Sequence, residues 1–231
     1  MWNVDIQLVA EKILRRLRRV GLRETLREGI WWLGILRRGR TTNDFDVKYG
    51  TDTGGNIPLW KFKVGSPNVR FGREYQTVDE QVLIDAITAL REDPQALTFI
   101  DLGCGKGRAL LVAANLGFQH VIGVEFVHQL AEIARKNLAH RGTANAVVAE
   151  GDAAKYRFPN CDMVVYLFNP FSQEVMQKVV ANLRESHARK LYVIYVNPEC
   201  AGLFDASGFL TRLGCPPGRA DIQIWSAATL G

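Results

Sequence analysis

The stretch "LTFIDLGCGKGRALLVAANLG", Leu97 to Gly117, decides the fold. Its first part is a short apolar run of strand length, and helical periodicity starts again at about Arg108. A strand, a tight glycine turn and a helix make the first half of a βαβ unit. The turn reads Asp-x-Gly-x-Gly-x-Gly, with Asp101, Gly103, Gly105 and Gly107 at the named positions. Glycines in such a turn let the backbone approach a ligand with no side chain between them. The dinucleotide fingerprint GxGxxG would need glycine at position 108, for close packing of helix on strand. Position 108 is Arg, so a pyrophosphate has no ready fit unless Lys106 and Arg108 compensate.

The alternation continues outward. "HVIGVEF" reads as a strand and "HQLAEIARKNLAHRG" as a helix ended by Gly142; "NAVVAEGD" and "CDMVVYLFNP" read as strands. A helix opened by Ser172, the strand "KLYVIYVNP" and two further strands, "FLTRLG" and "DIQIWSAA", complete the series. Upstream, Thr77 with Glu80 three residues on matches a capping box. Such alternation predicts an α/β fold: a Rossmann-like, seven-strand, mostly parallel sheet with helices on both faces. The last two strands are joined by a short "CPPGRA" loop, which suits only antiparallel neighbours, so the sheet should end in a hairpin.

Charge and composition divide the chain further. The net charge is +5, and residues 1–40 alone carry ten Lys/Arg against four Asp/Glu. The basic character therefore belongs to an N-terminal helical extension, 1–40, in which "EKILRRLRRV" places apolar residues on one face. Residues 41–74 are rich in Gly, Asn, Asp and Thr and read as a loop region covering substrate or cofactor. Residues 75–231 form the main domain. The four cysteines show no CxxC and no matching His spacing, which argues against a metal site. The longest apolar stretch near the start, "GIWWLGIL", is too short to span a bilayer, and a cytoplasmic protein is expected. The basic helices could pack as a lid, lie on an anionic membrane with Trp31 and Trp32 in the interface, or meet a nucleic acid. A nucleic-acid acceptor is not favoured, because the main domain is slightly acidic and shows no recognisable binding module.

In open α/β sheets, ligands sit outside the carboxyl ends of the strands. Glu125 ends the second strand and is placed to accept from both ribose hydroxyls of an adenosine ligand. Asp152 follows the third strand and could accept from an adenine amine, or could cap its own turn. The stretch from "FIDLGCGKGR" to "GVEF", with "EGDAA" and "YLFNPF" after it, resembles the class I S-adenosylmethionine-dependent methyltransferases. With "YGTDTGG" and "FGREYQ", it is similar to bacterial methyltransferase-domain proteins, and it has some likeness to Dot1-type and related lysine methyltransferases. The resemblance implies S-adenosylmethionine as cofactor. Asp101 and Gly103, Gly105 and Gly107 would contact its methionine part, Glu125 the ribose, and Asp152 with Ala153 the adenine.

"YLFNPF" then becomes the reaction edge. Asn169 should stand beside the methyl group, its amide oxygen and the carbonyls around Pro170 accepting from an amine, with Phe171 as the flanking aromatic. The motif resembles the Asn/Asp-Pro-Pro-aromatic signature of amine-methylating members but lacks the second proline. Asn169 is thus a candidate for both cofactor and acceptor contact, or it simply ends a strand. On the substrate side the candidates are Tyr49, Thr51, Thr53, Tyr75 and Asn197. The expected reaction is methyl transfer to an amine, with a hydroxyl second, on a small molecule or a protein side chain. An NAD-dependent oxidoreductase and a non-catalytic cofactor-binding or membrane-peripheral protein stand as alternatives.

Overall fold

The computed structural model describes residues 44–55, 76–168 and 171–227. The basic segment 1–40, Tyr75, Asn169 and Pro170 lie outside the described residues. Among those described, the elements run α1 (Asp44–Tyr49), α2 (Glu80–Ala89), β1 (Thr98–Leu102), α3 (Arg108–Asn115), β2 (His120–Glu125), α4 (His128–His140) and β3 (Ala146–Glu150). They continue with β4 (Met163–Phe168), α5 (Gln173–Arg184), β5 (Leu191–Val196), α6 (Ala201–Asp205), β6 (Leu210–Gly214) and β7 (Ile222–Ala227).

The strands form one seven-stranded sheet in the order β3-β2-β1-β4-β5-β7-β6. The first five positions are parallel; β7 pairs antiparallel with both β5 and β6. This is the predicted sheet with its terminal hairpin. Strand order reverses between β1 and β4, and ligands of open α/β sheets bind at such a switch point.

β1 is buried along its whole length and β4 at all but its last residue, the continuous apolar pattern of a parallel strand covered on both faces. One face carries Phe99, Val164, Tyr166 and Ile194 against Leu83 and Ala86 of α2 and Leu110 of α3. The other carries Ile100, Val165, Leu167 and Tyr195 against Val175, Met176 and Val179 of α5 and Phe204 of α6.

Three local expectations are corrected. The cap of α2 is Asp79, whose carboxylate accepts from the Gln81 N–H at 2.8 Å; the Thr77 hydroxyl instead donates to the Thr53 and Gly55 carbonyls. The region 41–74 was expected to be loop throughout, yet residues 44–49 form α1. Phe45 and Tyr49, four apart on that helix, pack with their rings tilted and their centroids 4.5 Å apart, and Phe45 is buried against the main core, so tertiary packing stabilises a helix too short to persist alone. The short helix α6 follows β5 where no periodicity signals it.

Candidate functional site

The turn between β1 and α3 is built by its glycines. Gly103, Gly105 and Gly107 all have positive φ, at 85°, 54° and 84°, a region that side-chain-bearing L-residues rarely adopt. The turn packs tightly on β2: a Cβ on Gly123 would lie 2.6 Å from both Cys104 Sγ and Leu110 Cδ1. Burial, with Asp101 and Glu125 nearby, pushes the Cys104 thiol well up, so Cys104 is a packing residue and not a thiolate.

Two carboxyl groups flank this turn. Glu125, at the tip of β2, is 3% exposed and accepts from the Gly105 N–H and the Val127 N–H, each at 2.8 Å. Burial pushes it up to about 7, against the opposing pull of backbone N–H groups at Val127, Gly105 and Phe126. Asp101 is also 3% exposed; burial first, and the Glu125 charge second, raise it well above the usual carboxylate range. Among the described residues neither carboxyl forms an ion pair. Two buried acids at a switch point, with no ion-pair partner among the described residues, suit a ligand that brings its own donors. Hydroxyls fit Glu125 and an ammonium fits Asp101. The residues present therefore fit the two ends of S-adenosylmethionine.

The other expected residues fall in different surroundings. The Asp152 carboxylate accepts from the Ala154 N–H at 2.9 Å and caps a 3-10 turn over Ala153–Lys155, just beyond β3. Ala153 is buried there. Phe171, 5% exposed, packs in the α5-side core. Asn197 follows β5, is exposed, and sits in the left-handed region at φ 50°, its N–H donating to the Asp221 carbonyl at 2.7 Å. Phe168 and Val196, the last residues of β4 and β5, are register partners. Tyr49 donates to Glu80 at 2.9 Å. Thr51 and Thr53 both donate their hydroxyls to Asp46. All four histidines are exposed.

Sequence reasoning passed over one group. Asp46, Asp52, Lys106, Arg108 and Asn137 join the 51–54 segment to the glycine turn through buried and part-buried polar contacts. The available signal was the acids Asp46 and Asp52 in "DFDVKYGTD" and a pair of unexplained cations in "GKGR".

The strand order, the reversed seventh strand, the glycine turn after β1 and the acid ending β2 together make this the fold of class I S-adenosylmethionine-dependent methyltransferases. Residues 99–189 match a family model described as a methyltransferase domain, and S-adenosylmethionine is the cofactor that this match implies. A ribosomal protein L11 methyltransferase from Dechloromonas aromatica is 42% identical over 60 residues, which is 26% of this chain and 20% of that protein. The chain thus aligns with about a fifth of that curated relative's length. The solved structure of a candidate RNA methyltransferase from Pyrococcus horikoshii superposes with a TM-score of 0.52 at 20% identity, covering 75% of this chain and 94% of that one. That of a ribosomal protein L11 methylase from Lactobacillus delbrueckii gives 0.48 at 17% identity over 65% and 80% of the two chains. No helix among the described residues is long and apolar enough to cross a membrane.

Proposed function

We propose that the protein transfers a methyl group from S-adenosylmethionine to an amine nitrogen of a protein side chain or small molecule. The observation that carries this reading is the pair of buried acids, Asp101 and Glu125, flanking three left-handed glycines at the β1/β4 switch point. The cofactor supplies a methyl group on a positively charged sulfur, an electrophile with a good leaving group. The chain's part is to bind, orient and exclude water. Glu125 accepts from the ribose hydroxyls, Asp101 takes the amino-acid end, and Asp152 and Ala153 border the adenine. Asn169 directly follows β4, the strand next to β1, and Pro170 brings no N–H of its own. That leaves the amide oxygen and neighbouring carbonyls as acceptors that turn an amine lone pair toward the methyl. Asn197, which directly follows the neighbouring strand β5, borders the acceptor.

The relatives' names set ribosomal protein and RNA beside small molecules as acceptor classes. Incubating the full chain with methyl-labelled S-adenosylmethionine and a fractionated cell extract separates them. The expected label is in a protease-sensitive or low-mass fraction and resists mild alkali, as an N-methyl group does. Label in a nuclease-sensitive fraction would move the acceptor to nucleic acid. Absence of label from every fraction, with S-adenosylhomocysteine still bound, would replace methyl transfer by the non-catalytic alternative.

A further inference from the structure

Lys106 and Arg108 lie inside the glycine turn on either side of Gly107, and they are 3% and 7% exposed. Cations are rarely buried so far unless paired. Both reach a segment more than fifty residues earlier in the chain. Lys106 Nζ donates to Asp52 Oδ1 at 2.9 Å and to the Gly54 carbonyl at 2.8 Å. Arg108 Nε donates to Thr53 Oγ1 at 2.8 Å and Nη1 to the Val78 carbonyl at 3.2 Å. Its guanidinium also stands 3.8 Å from Asp46 Oδ2 and 4.5 Å over the Phe45 ring.

The segment is itself tied down from the other side. Asp46 Oδ1 accepts from Thr51 Oγ1 at 2.8 Å, the Thr53 N–H at 2.8 Å and Thr53 Oγ1 at 2.6 Å; Oδ2 accepts from the Gly54 N–H at 2.7 Å. Burial alone would raise the Asp46 carboxyl, but these hydrogen bonds outweigh it and hold it below the usual range. Asn137 of α4 fastens both parts. Its Oδ1 accepts from the Asp52 N–H at 3.0 Å, and Nδ2 donates to the Asp52 carbonyl at 3.1 Å and to the Lys106 carbonyl at 2.9 Å.

Apolar side chains would fill the buried positions at no desolvation cost, so a network of one buried acid, one part-buried acid and two buried cations is poorly explained by stability alone. A network this directional instead fixes one arrangement of the parts it joins. Those parts are the main chain at Lys106, one residue from Gly105, whose N–H meets Glu125, and one from Gly107, which opens α3.

We propose that Asp46, Asp52, Lys106, Arg108 and Asn137 form a latch that holds the glycine turn in its cofactor-binding shape. They are positioning residues, and the functional unit begins at or before Asp44, not at residue 75. This inference rests on the methyltransferase reading above. The test uses full-chain Lys106→Met, Asp52→Asn, the double variant and Lys106→Arg. Calorimetry with S-adenosylhomocysteine is run well below each thermal midpoint, where every variant is folded.

The latch predicts about a tenfold or larger loss of affinity in Lys106→Met and Asp52→Asn. It also predicts no further loss in the double variant, and recovery of most of the affinity in Lys106→Arg. Wild-type affinity in both single variants, with only the thermal midpoint lowered, would overturn the latch and leave a structural tie. Asp52 is partly exposed, its side chain at 34%, so Asp52→Asn remains readable if Lys106→Met fails to fold. If the wild-type chain itself does not bind S-adenosylhomocysteine, the methyltransferase reading fails and this inference with it; if only the variants match wild type, the latch alone fails.

Discussion

Glu125→Ala weakens S-adenosylhomocysteine binding by about a hundredfold or more. The carboxylate is assigned two ribose hydroxyls, and each hydrogen bond to a charged group contributes about 1.5–3 kcal/mol. Losing two of them, at about 1.4 kcal/mol per factor of ten, reaches that size at the lower bound. Some of the loss is indirect, because Glu125 also accepts from Gly105 and Val127, and their N–H groups would be left unpaired in the core. Glu125→Gln separates the two effects: it keeps an oxygen for one N–H and removes the charge. Its expected loss is about tenfold. The measurement is calorimetry at about pH 8, where the wild-type carboxyl is ionised. An Ala variant that binds as wild type does would detach Glu125 from the ligand.

Asn169→Ala lowers turnover by about 10²–10³-fold and leaves S-adenosylhomocysteine affinity within about threefold. A preorganised hydrogen-bond partner that acts on the reacting group is felt in the chemical step more than in ground-state binding. The assay is release of S-adenosylhomocysteine in the presence of the labelled acceptor fraction. Asn169→Asp, which keeps both acceptor positions, is expected to lose less. Full turnover in the Ala variant would return Asn169 to the role of ending β4.

Much of this molecule could be read from residue order because its punctuation is unambiguous. Gly117 and Gly142 close their helices, Gly103–Gly107 turn the chain between β1 and α3, and the apolar runs of β1 and β4 have strand length. The placement of Asp101 and Glu125 at the strand ends could be read on the same basis, because the end of a parallel strand determines where its last side chains sit. What stayed hidden depends on contacts distant in the chain. Helix α1 is six residues long and is stabilised by Phe45 and Tyr49 meeting the core, which local propensity does not record. Thr77 and Asp79 are both good caps, and the choice fell to Asp79 because Thr77 is held by the Thr53 and Gly55 carbonyls. The latch pairs Asp52 with Lys106 across 54 positions, a separation at which opposite charges carry no visible pattern. Lys106 and Arg108 therefore read as anomalies in a glycine turn until the segment they hold is in view.

An adenosine-bearing sulfur ligand is proposed to bind through the buried acid ending β2. An ionised Glu125 accepts from hydroxyls better than a protonated one does, so binding draws its titration downward. Below the free-state value of about 7, binding must expel a proton, and affinity falls by up to about tenfold per pH unit. Above it, that contribution levels off. The titratable groups that interact with it are Asp101 and Cys104. Asp101, also raised, extends the rise in the same direction if it meets the ligand's ammonium.

Calorimetric titration of the full chain with S-adenosylhomocysteine from about pH 5.5 to about pH 8.5, with NAD in parallel, tests this most directly. Micromolar binding is expected at the alkaline end, with progressive weakening below about pH 7 and no measurable binding of NAD. Binding of NAD, or an S-adenosylhomocysteine affinity that does not change across that range, would contradict it.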